Sequence, residues 1–242
     1  MNNFFHFILN IVEFFYKKRI INKLTTVLPD KINVFFDIGA HHGETTIDLL
    51  KYFKIKSAYL FEPNKKNFSI LKKKFNDQNK IINLNLLNFA LGNKNKVSYI
   101  NEVFDSSSST INKINKSTKY FKRKKKILKI FNSQSKIAKS KIEIKKASHY
   151  IINNSIQKID FIKLDTEGYE FIILNDLKHF LKNIKLVLLE HHYDLMITKS
   201  YKFSDLHSLF QRYGFKQIYK SKMIFRKSFE YIYVNKNYKN DK

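Results

Sequence analysis

Apolar and polar residues follow one another along this chain in blocks that predict strands and helices in alternation. Apolar runs of strand length occupy residues 34–36, 58–61, 84–91, 159–164 and 186–189. Between them, apolar residues recur at helical spacing, as Phe68, Leu71 and Phe75 do. Two last apolar runs, 215–220 and 229–234, flank a basic turn and predict an antiparallel hairpin. This alternation predicts an α/β fold built on a mostly parallel sheet.

The amino-terminal stretch has a pattern of its own. Its apolar residues at helical spacing predict an amphipathic helix and are Phe4, Ile8, Ile11, Val12 and Phe15. The stretch is too short and interrupted to span a bilayer, and it lacks the basic start and the cleavage site of a secretory signal. We expect a helix within residues 1–28 to cover the edge of the sheet, ahead of an α/β domain over residues 29–242. Peripheral contact with a membrane through residues 1–24 is the alternative.

A turn with unusual residues follows the first predicted strand. Asp37, Gly39 and Gly43 mark it, and His41 lies inside it. A dinucleotide site needs a further glycine between these two, and Asp37 would repel a pyrophosphate. The same acid suits an ammonium group, and Glu62, at the end of the next strand, is placed to accept hydrogen bonds from two ribose hydroxyls. A ligand with these groups is S-adenosylmethionine rather than NAD. The alternative is an ordinary turn whose glycines only permit close packing.

The third predicted strand ends in Asn88 and Phe89, beside the same turn. An asparagine there is a candidate to hydrogen-bond the edge of an adenine, and Phe89 is a candidate to cover the ring. With the residues of the turn, they complete the predicted cofactor site.

A second group of polar residues follows the strand at 159–164. Asp165 ends this strand, and Glu167 and Glu170 begin the next helix, where the helix dipole favours acids in any case. The following strand ends in acidic and imidazole side chains, which are Glu190, His191 and His192. Because the carboxyl ends of parallel strands meet at one edge of a sheet, we expect these residues to face the cofactor.

These residues divide into candidate bases and candidate substrate contacts. Asp165, His191 and His192 are candidates to remove a proton from the acceptor. The glutamates Glu167, Glu170 and Glu190 are predicted to contact the substrate. Mg²⁺ held by Asp165 with Glu167 or Glu190 is an alternative that we do not favour, since no ligand spacing requires it.

The composition narrows the function further. The 242 residues contain no cysteine, which excludes disulfides and thiolate metal sites, and carry a formal charge of +26. Lysines occur throughout the chain, so most of the net charge does not indicate a specific anionic partner. Basic residues are densest in the segment Lys113–Lys126, which lies within the predicted insertion 112–146 and has no acidic residue. It is either a solvated loop or a surface that holds an anionic acceptor.

Four segments carry a resemblance to a known family. They are 36–43 (Phe-Asp-Ile-Gly-Ala-His-His-Gly), 61–63 (Phe-Glu-Pro), 88–92 (Asn-Phe-Ala-Leu-Gly) and 159–170 (Ile-Asp-Phe-Ile-Lys-Leu-Asp-Thr-Glu-Gly-Tyr-Glu). Together the segments resemble the FkbM family of S-adenosylmethionine-dependent methyltransferases. The resemblance implies the class I methyltransferase fold, a Rossmann-like three-layer sandwich with a seven-stranded, mostly parallel sheet and an antiparallel last strand. It also implies O-methylation of a hydroxyl on a sugar, glycolipid or secondary metabolite.

We therefore predict a cytoplasmic O-methyltransferase that modifies a sugar in a surface glycan or its lipid-linked precursor, with membrane association through the first helix as an open alternative. A methyltransferase of RNA or other nucleic acid is the main rival, because of the net charge of +26. Against it, the chain has no Asn-Pro-Pro-Tyr or Pro-Cys motif. The other alternative is a non-catalytic basic binding protein on the same fold.

Overall fold

The computed structural model describes residues 15–76, 81–102, 109–130, 137–222 and 227–239. In chain order its elements are α1 (15–25), β1 (Lys31–Ile38), α2 (Glu44–Leu49), β2 (Lys54–Phe61), α3 (Lys65–Phe75), β3 (Asn83–Leu87), β4 (Ala90–Gly92), β5 (Lys96–Glu102), α4 (Lys119–Ile130), β6 (Ala138–Lys146), α5 (Ala147–Asn153), β7 (Ile159–Leu164), α6 (Glu170–Asp176), β8 (Ile184–His192), α7 (Phe203–Arg212), β9 (Phe215–Lys222) and β10 (Ser228–Asn235).

Seven strands form the main sheet, in the order β3-β2-β1-β7-β8-β10-β9. All its strands run parallel except β10, which pairs antiparallel with both β8 and β9. The predicted seven-stranded, mostly parallel sheet with a carboxyl-terminal antiparallel hairpin is therefore confirmed. The central strands read as continuous apolar runs because helices cover both faces of the sheet.

The helices lie on the two faces and complete a three-layer sandwich. On one face α1, α2 and α3 bury apolar side chains against residues such as Phe35 and Leu186. On the other face α5, α6 and α7 pack against residues such as Phe36 and Val187. This places both clusters of the hydrophobic core against the sheet.

Helix α1 lies on a face of the sheet, whereas the helix predicted to cover the sheet edge rests mainly on residues 4–12, which lie outside the described residues. The side chains that α1 buries there are Tyr16, Ile20, Ile21 and Leu24. The aromatic ring of Phe15 is exposed, and residues 1–14 lie outside the described residues. Contact of this segment with a membrane stays a prediction, as do the domain boundaries at 28 and 29. No helix in the described ranges is long and apolar enough to cross a membrane.

The predicted third strand at 84–91 is in fact two strands in two sheets. Strand β3 pairs with β2 in the main sheet, whereas β4 pairs with β6 in a second sheet of order β4-β6-β5. The side chain of Asn88 stabilises the bend between them, because its Nδ2 donates to the carbonyl oxygens of Glu62 (2.9 Å) and Pro63 (3.3 Å). Strand β5 pairs antiparallel with β6 and belongs to this second sheet.

The basic insertion contains more regular structure than the sequence indicated. Strand β6 was not predicted, although Ile142 and Ile144 alternate with polar residues as in a half-buried strand. The basic run forms helix α4, whose Phe121 packs against Met196 and Ile197. This packing docks α4 onto the loop that follows β8.

Candidate functional site

A cavity of about 400 Å³ opens at the carboxyl ends of β1, β2, β7 and β8. A volume of this size is within the range of small-molecule sites. One side is formed by the turn after β1 and by Glu62, and the other by Asp165, Glu167 and Glu190. The cavity lies where a parallel sheet of this kind binds its ligand.

The turn after β1 can only be made by glycine. Gly39 has φ +84°, and a Cβ atom on it would lie 1.9 Å from the carbonyl oxygen of Asp165. The amides of Gly39 and Ala40 both donate to the carbonyl oxygen of Phe61, each at 3.0 Å. Gly43 has φ +78°, and its missing side chain makes room for the ring of Phe75 on α3. Gly39 therefore shapes the cavity, whereas Gly43 serves the packing of α2 on α3.

Asp37 is completely buried and does not line the cavity. Its Oδ2 accepts a hydrogen bond of 2.7 Å from Thr46, and its Oδ1 lies 3.3 Å from the ammonium of Lys163. Lys163 also donates to the carbonyl oxygen of Gly39 at 2.7 Å and lies 3.7 Å from Asp165. Burial opposes its charge, but Asp37 and Asp165 outweigh burial and raise the pKa of Lys163. Asp37 thus acts on the turn through Lys163.

Sequence reasoning missed Lys163, although a signal was present. A lysine inside the apolar strand β7, two residues before Asp165, cannot be buried without a carboxylate beside it.

Glu62 lies in the cavity wall with both carboxylate oxygens held by the backbone. Oε2 accepts from the amide of His41 at 2.9 Å, and Oε1 accepts from the amide of Asn64 at 2.8 Å. Each oxygen keeps a second lone pair for a ligand hydroxyl. Burial raises the pKa of Glu62 to about 7. His41 itself has φ 51° and lines the cavity, with its Nδ1 3.4 Å from Glu44.

The structure places Asn88 and Phe89 away from the cavity wall. Asn88 holds the bend described above, and the ring of Phe89 packs against Phe61 and Tyr150. Their neighbours Ala90 and Leu91 line the cavity instead.

At the other end of the cavity the predicted acids Asp165, Glu167 and Glu190 lie around His192. His192 Nε2 lies 3.1 Å from Glu167 Oε2 and 3.2 Å from Glu190 Oε1. Burial raises the pKa of Glu167 to about 8, although His192 opposes this shift. Burial opposes the charged ring of His192, but Glu167 and Glu190 outweigh it and raise the pKa of His192 to about 10. Glu230 of β10 pairs in register with Glu190, and burial raises the pKa of Glu230 to about 8.

Two of the predicted site residues lie outside this group. His191 is on the opposite face of β8, among the rings of Tyr201 and Phe203, where burial lowers its pKa to about 3. Glu170 organises the loop after β7, since its Oε1 accepts from the amides of Thr166 at 3.0 Å and Gly168 at 2.9 Å. Neither side chain lines the cavity.

The cavity is acidic in a chain whose formal charge is +26. The carboxylates in its wall are Glu44, Glu62, Asp165, Glu167, Glu190 and Glu230. The lysines in its wall are Lys17 and Lys163. Such a wall accepts hydrogen bonds from hydroxyl groups, attracts cations and disfavours anions.

The sequence profile of the methyltransferase FkbM domain family matches residues 37–216. The matched range contains the glycine turn, Glu62 and every acid of the group around His192 except Glu230. Among curated protein sequences, none matches the chain.

Several solved structures of methyltransferases are similar to this chain. Magnesium protoporphyrin IX methyltransferase from Synechocystis PCC 6803, crystallised with bound S-adenosylmethionine, is similar over 93% of this chain and 80% of its own, with 9% identity and a TM-score of 0.53. TrmK of M. capricolum, in complex with S-adenosylhomocysteine, is similar over 91% of this chain and 69% of its own, with 15% identity and a TM-score of 0.48. An rRNA methylase from Streptococcus thermophilus is similar over 89% and 93%, with 13% identity and a TM-score of 0.48.

Proposed function

This chain belongs to the FkbM methyltransferase domain family and uses S-adenosylmethionine as its methyl donor, and we propose that it methylates a hydroxyl of a sugar in a surface glycan or its lipid-linked precursor. The observation that carries the proposal is the wall of carboxylates at one end of a cavity whose other end suits the cofactor. Each end has its own chemistry, so the two are taken in turn.

The cofactor end is built from Glu62 and the turn after β1. Glu62 keeps free lone pairs that face the cavity and accept hydrogen bonds from ribose hydroxyls. Gly39 has no side chain, so its backbone leaves the space that the cavity occupies. Lys163 holds the carbonyl oxygen of Gly39 and so keeps the turn in place. These residues fit a ligand that carries a ribose and a cationic amino-acid end.

The acceptor end is built from Asp165, Glu167 and Glu190. Bound S-adenosylmethionine supplies a methyl group whose bond to the sulfonium breaks as its bond to the acceptor oxygen forms, which leaves a neutral thioether. The carboxylates hold the acceptor hydroxyls by accepting their hydrogen bonds, and one of them takes the proton that the reacting hydroxyl loses. Orientation of the hydroxyl toward the methyl group is the main contribution of such a wall to the rate.

A neutral, hydroxyl-rich group suits this wall better than a phosphate backbone does, because carboxylates repel phosphates. Apart from Lys17 and Lys163, the described basic residues lie outside the cavity wall, and several of them are on α4. Lys124 of α4 lies close enough to Glu167 to act electrostatically on its carboxylate. A sugar inside the cavity, joined to its lipid by a phosphate that lies against α4, would suit both the acidic wall and the basic helix.

Methyl transfer from labelled S-adenosylmethionine tests the acceptor class. We expect wild-type protein to label a lipid-linked saccharide fraction, and Asp165→Asn to lose most of that labelling while it still binds S-adenosylhomocysteine. Label that appears in the RNA fraction and not in saccharides would overturn the proposal.

One observation favours the rival function of RNA methylation. Helix α4 carries six basic residues and no acidic residue between positions 119 and 126, and one of them, Lys124, acts on Glu167 in the cavity wall; the six are Lys119, Lys122, Arg123, Lys124, Lys125 and Lys126. Binding of RNA with a steep dependence on salt concentration, lost when four of these residues are changed to glutamine, would support that rival. Absence of such binding would support the saccharide acceptor.

A further inference from the structure

We propose that Asp165, Glu190 and His192 form a binding site for a divalent metal ion at the acceptor end of the cavity. Each residue offers one ligand atom, and these atoms all lie within 4.8 Å of one another. Donors bound to one ion at about 2.1 Å are separated by about 3–4 Å, so small side-chain rotations bring the three to a common ion. The strands β7 and β8 are neighbours in the sheet, which fixes the backbone of all three residues.

The imidazole of His192 gives an independent reason to expect a ligand here. The residue is only 8% exposed, and its Nε2 has no hydrogen-bond partner among the described residues. Oxygens of Glu167 and Glu190 are 3.1 and 3.2 Å away, yet neither contact has the geometry of a hydrogen bond. A buried nitrogen beside two carboxylates, without a hydrogen bond to either, suits an ion between them, which would replace the proton that the carboxylates otherwise hold on the ring.

The other ring nitrogen faces a further carboxylate, as in many metal-bound histidines. Nδ1 of His192 lies 3.6 Å from Oδ2 of Asp194, which is 4% exposed. A carboxylate on this side holds the ring so that Nε2 faces the ion and makes the nitrogen a better donor. Asp194 is therefore a positioning residue in this arrangement.

The balance of charge also favours a cation. Asp165, Glu167 and Glu190 surround His192, and burying several carboxylates without compensation is costly. The ammonium of Lys163 is shared with Asp37 and with the carbonyl oxygen of Gly39, and that of Lys199 donates to the carbonyl oxygen of His192. A dication compensates the remaining negative charge.

The donor set selects among metals. Two carboxylates with one imidazole suit Mn²⁺ or another transition ion better than Mg²⁺, which prefers oxygen donors alone. An ion at this position would hold the acceptor hydroxyl and lower its pKa. This catalytic role rests on the proposed function. Glu167, which is adjacent to His192 and not one of the three ligands, is then placed to take the proton.

Titration of metal-free, full-length protein with Mn²⁺, followed by the electron paramagnetic resonance of the free ion, tests the site without any acceptor. We expect saturable binding of one ion per chain. Asp165→Asn and Glu190→Gln should each weaken it by at least about tenfold. His42→Gln is the matched control, since His41, His42 and Glu44 form another group able to hold an ion, and it should leave the affinity unchanged.

No saturable binding by the folded wild-type protein would overturn the proposal, as would binding that His42→Gln weakens and Asp165→Asn does not. Thermal melting of each variant separates loss of the site from loss of the fold, and Asp165 is exposed enough (31% of its side chain) to be changed safely. Calorimetry with S-adenosylhomocysteine on the same samples reports the cofactor end separately. Cofactor binding without Mn²⁺ binding would overturn the metal site and leave the methyltransferase function standing.

Discussion

Lys163 Nζ lies 3.3 Å from Oδ1 of the fully buried Asp37, directly opposite it on the neighbouring strand of the sheet. Both charges are taken out of water, and each compensates the other. The same ammonium binds the carbonyl oxygen of Gly39, so this pair connects the core of the sheet to the cofactor turn.

We expect Lys163→Met to lower the free energy of unfolding by about 3–5 kcal/mol, because it leaves Asp37 buried without its partner. Urea unfolding measures this loss. The double variant with Asp37→Asn should recover part of it, since the uncompensated charge is then removed. Lys31→Met, at an exposed position of β1, is the control and should change stability little. A loss of stability that is equal in the single and double variants would contradict the pairing.

Glu62 should make stability fall as pH rises. Its pKa in the folded protein is about 7, raised by burial from the ordinary value of about 4.5 for a glutamate. Between these values the folded protein keeps a proton that the unfolded chain has lost, so the free energy of unfolding decreases through this window, by about 3 kcal/mol in total. Glu62→Gln should abolish this component in urea unfolding at about pH 5 and about pH 8. The exposed Glu143→Gln should keep it.

The same titration should appear in cofactor binding with the opposite sign. An ionised carboxylate is the better acceptor for ribose hydroxyls, so S-adenosylhomocysteine should bind more tightly above pH 7 than below it, by up to about tenfold. Calorimetry at several pH values measures this. An affinity in Glu62→Gln with the same pH dependence as the wild type would show that another group is responsible.

Gly39→Ala should destabilise the protein by more than about 2 kcal/mol and abolish cofactor binding. Its Cβ would meet the backbone oxygen of Asp165 at 1.9 Å, and neither strand can move without breaking the sheet. Gly214→Ala is a matched control, because it has a similar φ of +83° but its Cβ meets the end of the Asn237 side chain. Gly214→Ala should lower the free energy of unfolding by about 1–2 kcal/mol, which is the cost of the backbone strain alone. Equal effects at the two positions would refute the argument from the close approach.

Glu170→Ala should lower the free energy of unfolding by about 3 kcal/mol or more. The carboxylate accepts hydrogen bonds from Thr166, Gly168 and Tyr201, and each bond to a charged group contributes about 1.5–3 kcal/mol. Tyr201→Phe removes one of these bonds and should cost less. Thermal unfolding compares the two. A stable Glu170→Ala protein with impaired acceptor methylation would assign Glu170 to the substrate instead.

The sequence predicted those parts of the fold and the site that depend on residues close together along the chain. The turn from Asp37 to Gly43 could be identified because a glycine pair and an acid between a strand and a helix have few uses. Glu62 could be placed because parallel strands end at the same edge of the sheet. Side chains alternate between the two faces of β8, so His191 could have been placed on the face opposite to Glu190 and His192. The sequence analysis treated the two histidines alike.

Other roles depended on contacts between distant segments. Glu167 and Glu170 are three residues apart, yet the first faces the cavity and the second holds the loop, because Tyr201 approaches only one of them. Helix α1 packs on a face of the sheet through side chains whose partners lie on β1, β8 and β10. No local pattern predicts which surface such a helix will cover.

The sequence by itself therefore determined the strands of the main sheet, the family and the cofactor turn, because each depends on local periodicity or on residues a few positions apart. Only the tertiary structure decided which acids meet. Asp37 and Lys163 are 126 residues apart in sequence and in register across two strands, and Glu190 faces Glu230 across an antiparallel pair. The charge of a buried carboxylate depends on its burial and on its neighbours in space, and neither can be read from the positions before and after it.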